Sequence, residues 1–128
     1  MTPRFVEHIG MSIEAPGDGS SRCTLEVQAF HRNSTGRVHG GVAFTLADTG
    51  MGAALYPTLA PGELCATIEI KINYFKPVLA GELVCLSTLV NKGRRVASLE
   101  SSVYVGDTLV AKASGSFAIF TPKEGQTG

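Results

Sequence analysis

The eighteen residues from His39 to Tyr56, HGGVAFTLADTGMGAALY, constrain this chain more than any other stretch. They are small or apolar almost throughout, with one carboxylate, Asp48, in the middle. The run reads as one helix, ended by Pro57 and the Ala60-Pro61-Gly62 turn, which cannot continue it. A helix that is apolar on every side is buried on every side, so the rest of the chain is expected to wrap around it. Gly50 and Gly52 each weaken the helix by about 1 kcal/mol relative to alanine, and glycine there lets a sheet approach its backbone closely. Asp48 is the costly member. An ionised carboxylate taken out of water either raises its pKa or finds donors, and both outcomes are common in active sites, so Asp48 is the first candidate for chemistry.

Strand signals surround this helix. Pro3 to Gly10 reads as a short leading helix or an extended arm, and Met11 to Glu14 as a short strand. The turn from Ala15 to Ser20 has glycines to supply positive φ and a proline to fix the entry. Arg22 to Val27 alternates, with Cys23, Leu25 and Val27 on one side, as a half-buried strand does. His31 to Val38, HRNSTGRV, is a polar loop that delivers the chain to the helix, and such loops often bind ligands.

Four further strands follow: Cys65 to Phe75, Glu82 to Asn91, Arg95 to Val105 and Thr108 to Phe120, with turns between them. In the first, Ile68, Ile70, Ile72 and Tyr74 share one parity, and Thr67, Glu69, Lys71 and Asn73 the other. That parity takes Thr67 off the isoleucine face and toward a second surface. Glu82 to Asn91 is apolar on both sides, which points to another subunit packing on its outer face. A long central helix wrapped by a twisted antiparallel sheet of five to six strands is an α+β arrangement.

At 128 residues the chain fits a single domain, with residues 1–10 as the arm or short helix and 121–128 as a frayed polar tail. Lysine plus arginine number 11 and aspartate plus glutamate 11, so no net field steers the protein to nucleic acid or to an anionic membrane. The opening MTPRFVEHIG lacks the apolar region of a signal peptide, and the central helix is too short to span a bilayer. Cys23, Cys65 and Cys85 lack CxxC spacing and sit in strand-like runs, so reduced core thiols and the cytoplasm are expected. HExxH, GxSxG and phosphate-loop spacings are absent, and no metal site is visible.

The run from Asn33 through His39-Gly40-Gly41, followed by Leu46-Ala47-Asp48, resembles the PaaI-like acyl-CoA thioesterases, the phenylacetic acid degradation type of the hotdog fold. The resemblance extends from about the first strand to Phe120. It implies hydrolysis of an acyl-CoA thioester to free coenzyme A and a carboxylic acid, with no cofactor beyond the coenzyme A of the substrate. It also implies homodimers whose two sheets become continuous, and a pairing of dimers into a homotetramer. By the same resemblance Asp48 is the general base for a water or the nucleophile of a mixed anhydride, and the Gly40 backbone N–H polarises the carbonyl. Asn33 lies near the thioester or the water, Thr67 offers a hydroxyl, and His39 and Gly41 help bind substrate.

Elementary chemistry accommodates these roles. First-turn N–H groups of a helix lack intrahelical acceptors and sit at the positive end of its dipole, where charge on a carbonyl oxygen is stabilised. A positioned general base contributes about 10²–10⁴-fold. Read on the residues alone, Asp48 is equally a satisfied bridge to a strand, His39-Gly40-Gly41 a tight helix entry, Asn33 a turn residue and Thr67 a strand former on a solvated face. Lys92, Arg94 and Arg95 around a glycine would suit the coenzyme A phosphates, with Arg32, Arg37 and Lys76 as competing contacts. The acyl pocket is expected among Phe44, Met51, Leu55, Tyr74 and Phe75, half of it from another chain.

Two other readings stand beside this one: an acyl-CoA hydratase or dehydratase on the same fold, and a non-catalytic acyl-CoA sensor. The first needs a histidine paired with an acid, and His39 and Asp48 are nine residues apart on one helix, which is about 13 Å. Gly40 and Asp48 are separated by about two turns as well. The helix is therefore expected to give its N-terminus to one site and Asp48 to another, across a dimer axis.

Overall fold

Period-two alternation in six segments becomes one antiparallel sheet, and the apolar run becomes the helix that lies across it. The structure, a computed structural model, describes residues 4–123; most of the expected tail lies outside that range. In chain order the elements are α1 (Phe5–His8), β1 (Met11–Glu14), β2 (Ser20–Glu26), α2 (Gly40–Leu55), β3 (Leu64–Tyr74), β4 (Glu82–Lys92), β5 (Val96–Val105) and β6 (Thr108–Phe120). Short 3₁₀ turns at Ala29–His31 and Tyr56–Thr58 bracket the long connections. The strands lie in the order β1-β2-β4-β5-β6-β3, and every adjacent pair is antiparallel. The two edges are therefore the short β1 and the long β3.

α2 crosses the inner face and divides the core in two. Around its first half, Leu46 packs with Leu25, Leu83, Cys85 and Val103; around its second half, Met51 and Leu55 pack with Ala97, Leu99 and Phe117. The close approach that the glycines allow is real. A methyl group at Gly50 would collide with Ser87 Oγ, and one at Gly115 on β6 would lie 2.9 Å from Met51 Sδ and 3.1 Å from the Glu69 carbonyl.

Where helix and sheet are closest, the sheet donates to the helix backbone. Ser21 Oγ donates to the Gly50 carbonyl at 2.6 Å, and Ser101 Oγ donates to that of Ala47 at 3.2 Å. Ser87 Oγ, 2.6 Å from Ser101 Oγ, then donates to Ser101, whose single hydroxyl hydrogen is already committed. All three serines are buried, and no buried side-chain nitrogen or oxygen among the described residues lacks a partner. Each helical carbonyl has a second lone pair free for such a bond, so the serines fix the height and rotation of α2 without interrupting it.

Two expectations are corrected, those for the burial of α2 and for the parity of β3. α2 is not buried all round: Ala43, Leu46, Ala47, Gly50 and Met51 face the sheet, while Gly41 and Phe44 are exposed and Thr45, Asp48 and Thr49 are half-buried. A single helix on one face of a sheet has only that face to bury. The apolar outer side of β4 is open in the single chain, with Leu86 44% and Val90 58% exposed. Finally, the parity of β3 breaks: pairing with β6 slips between Thr67 and Glu69, leaving Ile68 as a bulge that is 56% exposed.

The three cysteines are free. Cys23 and Cys85 face one another across β2 and β4, and burial, with Cys85 opposite, pushes the Cys23 thiol up to about 12, which leaves it an inert core group. No described helix is long and apolar enough to cross a membrane.

Overpacking a core contact costs about 1–3 kcal/mol. Gly50→Ala should therefore lower stability by about that amount in urea unfolding at fixed protein concentration. Adding Ser87→Ala should recover most of the loss, because the colliding atom is then gone.

Candidate active site

The loop before α2 is tied down at several points by hydrogen bonds, and its form follows from them. The buried His31 ring accepts at Nδ1 from the Gln28 N–H at 2.8 Å, so Nε2 carries the proton and donates to the Ile9 carbonyl at 2.7 Å. The His31 carbonyl accepts the His39 N–H at 2.8 Å, and Arg32 and Val38 form a β-bridge. Residues 31–39 thus close on themselves as a small hairpin. The Val38 N–H, donating to the Val78 carbonyl at 2.8 Å, fastens it to the β3–β4 connection.

Asn33 organises the tip. Its Oδ1 accepts from the Thr35 N–H at 3.0 Å, the Thr35 hydroxyl at 2.7 Å and the Arg37 N–H at 3.2 Å. The turn role that its residue type suggests is therefore real, and it consumes only the oxygen. The amide NH₂ has no partner among the described residues, and Asn33 lines a cavity of about 320 Å³ at the start of α2.

The same cavity is lined by His39, Gly40 and Tyr74, with Ala43, Leu83, Val110 and Ala111 as its apolar floor. His39 is the N-cap of α2, its Nδ1 accepting from the Gly41 N–H at 2.8 Å. The Tyr74 hydroxyl donates to the Gly40 carbonyl at 2.6 Å. One peptide unit, Gly40–Gly41, is thereby held at both its oxygen and its N–H. Burial raises the Tyr74 pKa above the ordinary tyrosine value, so the group stays a donor. The preceding peptide also accepts at its oxygen, from the Val42 N–H at 3.0 Å, and this polarises its own N–H, that of Gly40. Among the described residues that Gly40 N–H has no acceptor, and it sits at the cavity.

Gly41 takes a different place from the one expected. Its N–H is spent on His39, and it lines a neighbouring groove with Phe5, Phe30 and Val42.

Asp48 stands two turns further along α2, half-buried, with Oδ1 accepting from the Thr67 hydroxyl at 2.6 Å. The second carboxylate oxygen accepts from no described residue. The bulge explains how Thr67 reaches it: Thr67 pairs with Phe117 and Cys65 with Ile119, both inward-facing, and beyond Ile68 the inward set becomes Ile70, Ile72 and Tyr74. The strict alternation read from the sequence placed Thr67 on the opposite face, because one inserted residue reverses parity. Asp48 and Thr67 do not line the cavity at Gly40. Eight residues separate Gly40 from Asp48, about 12 Å of helix.

The basic residues divide the same way. The Lys92 ammonium donates to the Thr58 carbonyl, which places the Lys92–Arg95 turn at the C-terminal end of α2, away from this chain's cavity. Arg32 Nε donates to the Leu79 carbonyl at 3.0 Å. Arg37 and Lys76 are the cations that line the cavity. Of the expected acyl-pocket residues, Tyr74 and Phe75 line it, Met51 and Leu55 are fully buried in the core, and Phe44 lies on the open side of α2. Val110 was not anticipated. Among the described residues no group of three or more His, Cys, Asp or Glu side chains is placed to hold a metal ion.

Tyr74→Phe removes one net hydrogen bond, about 1 kcal/mol. Hydrogen exchange should accelerate by about fivefold at the amides of the first turn of α2 and remain unchanged in its last turn. Equal exchange along the whole helix would show that Tyr74 does not hold the N-terminus.

The thioesterase superfamily model matches residues 35–112. The solved structure of a conserved protein from Pseudomonas aeruginosa is 36% identical, with a TM-score of 0.87, over 94% of this chain and 96% of that one. A mutant form of the phenylacetic acid degradation protein PaaI of Thermus thermophilus is 27% identical, with a TM-score of 0.82, over 89% of this chain and 96% of that one. Acyl-coenzyme A thioesterase 13 of Pongo abelii is 29% identical over 90 residues, 68% of this chain and 62% of that protein. With one long helix on a six-stranded antiparallel sheet and the family match over more than half its length, the chain belongs to the thioesterase superfamily as a PaaI-like hotdog thioester hydrolase.

Proposed function

We propose that this protein hydrolyses acyl-CoA thioesters in the cytoplasm, in sites that each combine the α2 N-terminus of one protomer with Asp48 and Thr67 of another. The observation that carries the reading is the division of one helix into two unsatisfied halves: a polarised Gly40 N–H facing a cavity, and a carboxylate with one oxygen free beyond it. About 12 Å of helix keeps them from meeting on one substrate within a chain. The similarity to an acyl-CoA thioesterase supports the substrate class. The long edge strand β3, which carries Thr67, supports the pairing, since its outer backbone groups need partners. The exposed Leu86 and Val90 on the other face of the sheet support a further pairing of dimers.

In this reading the thioester oxygen sits on the Gly40 N–H, where the helix dipole and the fixed peptide stabilise the charge that develops as the carbonyl is attacked. The Asn33 NH₂ is the second donor. The Thr67 hydroxyl holds one oxygen of Asp48 and aims the other at a water, whose proton Asp48 takes as the water oxygen bonds to the acyl carbon. The carbon–sulfur bond then breaks, and the proton passes to the departing thiolate. His39 is a positioning residue here, because its Nδ1 lone pair is spent on the cap. Nine residues of helix, about 13 Å, keep His39 and Asp48 of one chain from forming the histidine–acid pair a hydratase needs. Arg37, whose N–H is tied to Asn33 at the cavity, is the candidate contact for the coenzyme A phosphates.

Asp48→Asn should lower thiol release from acyl-CoAs by at least about a hundredfold with fold and oligomer intact, and unchanged hydrolysis in this variant would sink the assignment. Tight acyl-CoA binding without hydrolysis by the wild type would mark a sensor instead. A single turnover in heavy-oxygen water distinguishes the two roles of Asp48: label in the released acid means general base, label in the Asp48 carboxylate means nucleophile. Asn33→Ala and Thr67→Ala should each slow turnover by about tenfold, one supporting hydrogen bond apiece.

A further inference from the structure

A second bulge lies on β6, and it sets one wall of the cavity. Val103 pairs with Ala111 while Tyr104 pairs with Leu109, so Val110 has no partner on β5. Adjacent strand residues ordinarily face opposite sides, yet Val110 and Ala111 are both buried, at 5% and 1% exposure. Bulges re-aim side chains in this way and recur beside active sites. The bulge is also anchored: the Val110 carbonyl accepts from the Phe75 N–H at 2.8 Å and the Lys76 N–H at 3.3 Å. It therefore moves with the β3 end that walls the cavity.

On the far side of Val110 lies a second hollow of about 420 Å³, bounded further by Leu79, Ala80, Val105 and Thr108. The cavity at Gly40 and this hollow share four residues: Lys76, Pro77, Val78 and Val110. Of these only Val110 is buried; Val78 is half-buried and the other two are exposed. The partition between the two spaces is thus Val110 with the Lys76–Val78 rim of the β3–β4 connection, and Val110 is its one buried member.

We propose that Val110 is the specificity-determining residue of the acyl pocket. It closes the pocket on the side of the second hollow and restricts the enzyme to acyl groups that fit the 320 Å³ cavity. The floor of Ala43, Leu83 and Ala111 is apolar, which suits a hydrocarbon acyl chain lying along it. The inference rests on the acyl-CoA reading above. Removing the two methyl groups of Val110 joins the spaces, and a longer chain then continues into the hollow, which is largely apolar.

The test is a series of straight-chain acyl-CoAs of increasing length, with kcat/KM measured for wild type, Val110→Ala, Val110→Leu and the near-isosteric Val110→Thr. The wild type should show a chain length beyond which kcat/KM falls. In Val110→Ala that limit should move to longer chains, with about a fourfold gain for each methylene newly buried. In Val110→Leu it should move to shorter chains, and Val110→Thr should keep the wild-type limit. An identical limit in the alanine and leucine variants, with melting temperatures showing both folded, would overturn the role of Val110 while leaving the thioesterase reading standing. Should no acyl-CoA be hydrolysed, calorimetry with S-alkyl-CoA thioethers of the same lengths separates the two. A length limit in binding that moves with Val110 upholds the partition, and one that does not move, or no binding at all, removes it.

Discussion

The distance between α2 and the sheet governs everything else in this molecule. At Gly50 the helix backbone comes so close to β4 that Ser87 occupies the space a side chain would need, and at Gly115 the sheet makes the matching concession to Met51. Contact at that range would strand the buried Ser21 and Ser101 hydroxyls in a dry interface were it not for the Gly50 and Ala47 carbonyls, whose second lone pairs accept from them. The two carbonyls flank Asp48 in sequence. Fixing them fixes the direction in which Asp48 leaves the helix, so a packing requirement on the buried face sets the geometry of the acid on the open one.

A second layer of control comes from strand irregularity. Two of the sheet's three single-residue bulges, at Ile68 on β3 and at Val110 on β6, bear on the site; the third is at Val90 on β4. The first turns Thr67 inward to meet Asp48, and the second turns Val110 inward to bound the cavity. Each exploits the same property of a pleated strand: inserting one residue exchanges its two faces from that point on. Tyr74, inward because of the Ile68 bulge, closes the circuit by holding the Gly40 carbonyl. The strand after the helix thus touches both the acid and the donor end of α2.

Much of this was legible beforehand, and the reasons are physical. The helix observed over Gly40–Leu55 differs from the expected span by its capping residues, because apolar composition, a proline stop and glycine spacing are strong local signals. The strand ranges likewise agree to within one or two residues, since turns rich in glycine and proline bound them. The joint spacing of Asn33, Gly40 and Asp48 was visible because all three lie within one loop and one helix. What misled was uniform alternation. Strict alternation puts Thr67 on the opposite face and gives no sign of Val110, because a bulge has no composition of its own.

The sequence by itself determined the elements, their order and the family to which the chain belongs. Those properties follow from periodicity, turn chemistry and local spacing, which act within a few residues. Tertiary structure alone decided that Asp48 is half-buried beside Thr67, that the Gly41 N–H is spent on His39 while that of Gly40 is left open, and that Val110 divides two hollows. Each of those outcomes depends on which strand lies beside which and in what register. Register across a sheet is settled by contacts between residues far apart in the chain, where local pattern carries no information.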